Sequence, residues 1–430
     1  MPSSSTQLLY QSDQRQAGTP RIYYAVPRWP KPSKTALFTA AVVLFLLVAM
    51  PKGGIKFERI PITFSYLALG VAALPCLAVS VRTTTWNRPS VVCILMTLPL
   101  AIISLLKITI WGYYEQGFAL ALIANVCVLP FVFLVCFRSL GAALVHRDTQ
   151  RLLVFCVALV TLFGLVEFVS RNFLGSAIEV PYITVNSDDV GRIWEKHNQR
   201  TSLVKLVSTY NNGNIFGICM LILGPLFWAL RPARTLRIIY LAALFLTLSR
   251  TVWAGMLIWL VLWEPIFRRR PVSMLLRSPV HLATAFGMGA AGLFVLSTGT
   301  DFLFDQNLGG RLEALPNVEF SLFGPEMPFL GISELTYTSF LQNFGLAGLL
   351  AFIAWLTAPV AACLTAEGLG ALGPLRRAAL ISLTVYMVVC AVDGAFMLIP
   401  VIALYWLVAS YLLNPACDQQ GVHTLELARP

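Results

Sequence analysis

Apolar runs alternate with polar connections along the whole chain. They fall at about 35–50, 61–81, 90–110, 118–137, 152–170, 213–230, 238–263, 280–298, 336–359, 376–392 and 394–413. A helix needs about 20 apolar residues to cross a bilayer, so the pattern predicts a polytopic, all-α integral membrane protein. Two polar stretches are long, 171–211 and 299–335, and the other connections are short. One run is interrupted. In 247–254, "TLSRTVWA", Arg250 stands alone inside the apolar stretch 238–263. A guanidinium at the centre of a membrane helix costs at least about 2.5–3.5 kcal/mol. Two short spans that meet at Arg250 would place it at a helix junction instead, near water.

Charge decides between one span and two. Membrane proteins keep Lys and Arg in the cytoplasmic loops. The first 34 residues carry Arg15, Arg21, Arg28, Lys31 and Lys34, and no cleavable signal peptide is visible. With two spans in 238–263 the chain has twelve, both termini are cytoplasmic, and 20 of the 31 Lys and Arg lie inside. With a single span, Arg268, Arg269, Arg270, Arg376 and Arg377 would face outward. The expected layout is a cytoplasmic tail at 1–34, one membrane domain at 35–414 with both long loops outside, and a cytoplasmic tail at 415–430.

Composition changes the picture little. The chain is 57% hydrophobic and 12% charged, against about 25% charged in soluble domains, and its mean hydropathy is +0.75. The net charge of +11 reads as basic cytoplasmic loops and not as a nucleic-acid surface. Most of the nine cysteines lie in apolar runs, without CxxC or Cys/His spacing, so neither disulfides nor a metal site are expected.

The topology places Arg200, Arg250 and Arg311, from three segments, on one side. Arginine's planar fork suits phosphate, and a cluster at the outer membrane surface points to a lipid-linked phosphate or pyrophosphate. Each is also readable as an ordinary loop arginine. Tyr210, Asn211, Asn212 and Asn214 lie at the mouth of the span 213–230, where the asparagines either bind sugar or phosphate or cap the helix. Glu334 follows Ser333 at the start of 336–359 and is either a helix N-terminus or a general base for a sugar hydroxyl. Tyr337 lies one turn on, and Glu326 is the next candidate carboxylate. "NSDDVGRIWEKHNQR" (186–200) reads as a short helix with Ile193 and Trp194 at the membrane surface, and His197 as structural. Glu167 and Arg171 read as an internal ion pair, and Asp393 as a turn residue.

Four stretches together carry a resemblance: "STYNNGNIFG", "LTLSRTVWAG", "GGRLEAL…FSLFG" and "SELTYTSFLQNFGLAGLLAF". In order and spacing, over residues 200–355, they resemble the O-antigen polymerase and O-antigen ligase superfamily. The resemblance implies a glycosyltransferase C-type membrane fold in the bacterial inner membrane. It implies a glycan donor on undecaprenyl pyrophosphate and metal-independent inverting transfer on the periplasmic face, with no cofactor. Membrane lipid and a chain-length regulator are the partners it implies, and no nucleic acid. The family's pyrophosphate-gripping arginines correspond to Arg200, Arg250 and Arg311. Ligases typically carry a histidine late in the large loop. Residues 299–335 hold none, which favours the polymerase branch over transfer to lipid A-core or protein. A secondary transporter is the reading from a different class, but two matching halves are not visible.

Overall fold

The structure is a computed structural model that describes residues 31–57, 60–83, 86–185, 190–191, 199–200, 203–267 and 320–418. Several expectations lie outside those residues: the span 280–298, Arg311 and the basic residues 268–277. So do most of the helix expected at 186–200, with Trp194 and His197.

The described chain is predominantly α-helical: α1 (Lys34–Ala49), α2 (Phe64–Thr83), α3 (Arg88–Trp111), α4 (Gln116–Val145), α5 (Arg147–Leu174), α6 (Gly213–Ala229), α7 (Arg234–Leu246), α8 (Arg250–Phe267), α9 (Thr336–Glu367), α10 (Pro374–Asp393) and α11 (Ile399–Leu413). Among the described residues six of them, α2, α3, α4, α5, α9 and α10, are long and apolar enough to cross a membrane, and α1, α6 and α11 are shorter apolar helices. This is a helical membrane protein. Two small hairpins that the hydropathy pattern does not show complete it: β1 (Gly54–Phe57) with β2 (Ile60–Thr63), and β3 (Gln199–Arg200) with β4 (Leu203–Val204), both antiparallel. All nine cysteines are free thiols.

The run 238–263 is two helices. α7 ends at Leu246, Leu248 adopts a left-handed backbone (φ 49°), and α8 begins at Arg250. Contacts with α6 fix their directions. Gly217–Val252, Leu221–Gly255 and Gly224–Trp259 follow one another along α6, so α6 and α8 run parallel. Tyr240 reaches Met220 and Gly224 while Arg237 lies over Trp228, so α7 runs the opposite way. α7 and α8 are therefore a hairpin with Arg250 at its tip. At about 1.5 Å per residue the 13 residues of α7 rise about 20 Å, short of the roughly 30 Å hydrocarbon core.

Hydrogen bonds sort the helix ends into two poles. At one, Tyr210 Oη donates to Val48 O (2.9 Å), Leu206 N to Leu246 O (2.9 Å), Phe329 N to Gly112 O (3.1 Å) and Gly394 N to Glu334 O (3.1 Å). At the other, Arg376 is fully buried and pairs with Glu367 and Asp418 at 2.5 and 2.6 Å, while Asn414 Nδ2 donates to Gly141 O (2.9 Å). Proline explains one irregularity between them. Pro130 has no N–H for Val126 O, α4 takes π-helical turns on either side, and the Trp355 indole donates to that carbonyl instead (3.3 Å).

Candidate functional site

The stretch 203–212 is strapped across three helices before α6 starts. Asn172 of α5 clamps Val204 from both sides, accepting from its N–H (2.8 Å) and donating to its carbonyl (3.1 Å). Ser208 Oγ donates to Val160 O (2.6 Å). Glu167 and Arg171, one turn apart in α5 and both buried, form the expected ion pair beside this turn. Ser208 and Asn211 both take positive φ (53° and 60°), which non-glycine residues adopt only where surroundings hold them. The result is a tight entry to α6. Asn212 caps it, its Oδ1 accepting from Asn214 N (2.9 Å) and Ile215 N (3.2 Å).

Asn214 does something else. Its Oδ1 accepts from Lys205 Nζ (3.1 Å) and its Nδ2 donates to Asp393 Oδ2 (2.9 Å). Lys205 and Asp393 are 4% and 2% exposed. A buried ammonium and a buried carboxylate are thus joined through one amide. Asp393 is the last residue of α10, where the helix dipole opposes a carboxylate. The donor at the start of α6 offsets that penalty. The expectation of a simple turn residue is corrected. Asp393 has no distinguishing local pattern, because its partner lies 179 positions away.

Glu334 arrives from the other side. Its segment, 320–335, packs on α3 and α9. Lys107, buried in α3, donates to Pro325 O (2.6 Å), and Tyr114 N donates to Phe329 O (3.1 Å). α9 is broken at Gly345 (φ 69°, ψ −168°), and the N–H groups freed there, Leu346 and Ala347, donate to Ser321 O and Leu322 O (both 2.9 Å). Ser333 and Glu334 do not begin the helix. α9 starts at Thr336 after Leu335, and no side chain caps it. The capping reading of Ser333–Glu334 is therefore corrected. The Glu334 carbonyl instead accepts from Gly394 N (3.1 Å), whose own carbonyl accepts from Tyr386 Oη (2.7 Å). This turn, 394–398, is fixed a third time by Asn125 Nδ2 on Phe396 O (2.5 Å).

These three pieces close around a cavity of 180 Å³. Asn212, Asn214, Ser333, Glu334 and Asp393 line it with polar groups, and Ile215, Ile332, Phe396 and Leu398 are among its apolar walls. Glu334 and Asn214 are thereby brought together. Arg250 is half-buried at the α7–α8 tip, at the same pole but not in the wall. Tyr210 is fully buried and structural, its hydroxyl on Val48 O and its ring edge-on to Phe216 (5.6 Å). Burial pushes its phenol well above the ordinary range. Asn211 is buried beside it in the turn. Tyr337 does not share the Glu334 face: its hydroxyl donates to Met387 O (2.8 Å) and its ring packs on Phe352. Glu326 is exposed and does not line the cavity. Arg200 pairs with Leu203 through β3 and β4. Among the described residues no three His, Cys, Asp or Glu side chains cluster as metal ligands would.

No family model matches the chain, and neither a curated protein nor a solved structure matches it.

Proposed function

We propose that the protein is a membrane glycosyltransferase that polymerises oligosaccharide repeat units carried on undecaprenyl pyrophosphate, at the periplasmic face of a bacterial inner membrane. The observation that carries this reading is the cavity at one pole. A carboxylate on a loop, Glu334, opens into it at the pole where the α7–α8 hairpin presents Arg250. The motif resemblance supplies the chemistry and the substrate class, and the fold it implies is of the glycosyltransferase C type. The alternation of the described helix ends between the two poles supports the twelve-span reading.

In the reaction, an acceptor hydroxyl oxygen attacks the anomeric carbon of the donor glycan. The bond from that carbon to the pyrophosphate oxygen breaks, and its electron pair leaves with the pyrophosphate. Configuration inverts. The acceptor proton passes to the Glu334 carboxylate, which acts as general base. Arg250, standing at the positive end of α8, stabilises the charge that develops on the leaving group. Holding two lipid-bound substrates in register contributes further to the rate.

The decisive measurement is elongation of purified lipid-linked repeat units by Glu334→Gln. Removing a general base typically costs about 10²–10⁴-fold in rate. Donor binding and melting temperature are expected to hold, because Gln keeps the shape and the Glu334 carbonyl is untouched. A rate within about fivefold of the parent overturns the base assignment. If the parent transfers glycan to lipid A-core without extending it, the enzyme is a ligase. If it carries glycan across vesicles without forming a bond, it is a transporter.

A further inference from the structure

We propose that the 180 Å³ cavity is a subsite for one neutral pyranose ring, and that Asp393 is the residue that binds its hydroxyls. Given the proposed transfer, that ring is the terminal sugar of the acceptor.

Size limits the occupant first. The cavity's 180 Å³ compares with the roughly 150 Å³ that admits one six-membered ring in an engineered cavity, so a single sugar ring fits. Charge limits it second. Two carboxylates, Glu334 and Asp393, line the wall, with the Lys205 ammonium set behind Asn214, so the lining favours a neutral polyol over an anion. Hydroxyl donors suit them, because hydrogen bonds to an ionised acceptor are about twice as strong as neutral ones. The wall is also two-sided. Ile215, Ile332, Phe396 and Leu398 offer a face for ring C–H groups, while Asn214, Ser333 and the carboxylates offer partners for the hydroxyls.

Asp393 is set for binding in a way Glu334 is not. Asp393 is buried, its carboxylate is held by Asn214 Nδ2, and Lys205 anchors the far end of that amide. Its neighbour Gly394 is tied at both N–H and carbonyl. A carboxylate held in this way loses little freedom when a sugar binds. Glu334 is exposed on a loop, as a group that receives and releases a proton requires. The two carboxylates thus divide the work, Asp393 holding the ring and Glu334 accepting the proton.

The test is saturation-transfer NMR on the full chain in lipid nanodiscs, with methyl glucopyranoside, methyl galactopyranoside, methyl mannopyranoside and, as a cationic control, ethanolamine. At least one pyranoside is expected to bind. Asp393→Asn should weaken it by about tenfold or more, the cost of a hydrogen bond to a charged group. Leu398→Trp fills the cavity without touching the polar network and should abolish binding at an unchanged melting temperature. If no pyranoside binds the parent, if only ethanolamine binds, or if Leu398→Trp leaves pyranoside binding intact, the subsite is overturned. Pyranoside binding by a protein that never elongates glycan would refute the polymerase and leave the subsite standing. Normal elongation by Asp393→Asn would do the reverse.

Discussion

Gly345→Ala tests whether the break in α9 holds the Glu334 loop in place. At φ 69° and ψ −168° a side chain is strained, at about 1–3 kcal/mol. Space is the larger difficulty. A Cβ there would sit 2.3 Å from Gly324 N, 2.6 Å from Ser321 O and 2.7 Å from Leu322 C. All three are backbone atoms, so no side chain can swing aside. Relief requires 321–324 to retreat, which gives up the two hydrogen bonds from Leu346 and Ala347. At about 0.5–1.5 kcal/mol each, these add about 1–3 kcal/mol. The combined loss is about 2–6 kcal/mol, concentrated on 320–335. Gly370→Ala is the control, since a Cβ there meets open space and its backbone is ordinary. Detergent-solubilised variants would be compared by thermal melting and by limited proteolysis between residues 320 and 335. Gly345→Ala should melt several degrees below the control and be cut faster in that segment. Equal melting and equal cleavage would show that the break is not what anchors the loop.

Two further outcomes are expected. Arg250→Lys should keep the protein level and lose most elongation, because an ammonium lacks the bidentate fork. Full activity in the Lys variant would mean that charge alone matters. In a background without native cysteines, Ser333→Cys and Gly370→Cys should react with an impermeant reagent from opposite sides of the membrane, since Ser333 and Gly370 belong to opposite poles. Labelling of both from one side would refute the alternation of spans.

Hydropathy was enough to place the described helices, because membrane spans are set by long apolar runs. The division of 238–263 was legible from charge, and the hairpin bears out the two-helix reading. The Glu167–Arg171 pair was legible because one helical turn fixes its geometry. What failed was the assignment of side-chain roles at interruptions. Ser333–Glu334 looks like a helix start in sequence, yet α9 begins at Thr336, because the Glu334 carbonyl is taken by Gly394. Among the asparagines, local sequence left capping and binding equally open. The structure divides them: Asn212 caps, and Asn214 reaches across to Asp393. Asp393 was misread because its partner, Asn214, is 179 positions away, and Lys205, only nine positions from Asn214, was missed because no helical or strand spacing links the two. Tyr210 and Tyr337 were over-read for the same reason, their hydroxyls being held by carbonyls on α1 and α10.

The site forms where helices are interrupted, and there is a physical reason for it. Inside a bilayer every backbone N–H and C=O must find a partner, so irregular backbone survives only where protein covers it or a polar cavity meets it. Three interruptions lie at one pole: the α7–α8 tip, the break at Gly345 and the turn 394–398. Each is satisfied by a segment from elsewhere, through Leu206 on Leu246, Ser321 and Leu322 on the Gly345 break, and Tyr386 and Asn125 on the last turn. The same crossings deliver Lys205, Glu334 and Asp393 to neighbouring positions that no single helix face could present together. Burying Asp393 and Lys205 without partners would cost several kcal/mol each. The amide of Asn214 reduces that cost while leaving the carboxylate at the cavity wall. Interposing an amide spaces the two groups apart and leaves Asp393 at the wall, an arrangement that suits the proposed polyol subsite.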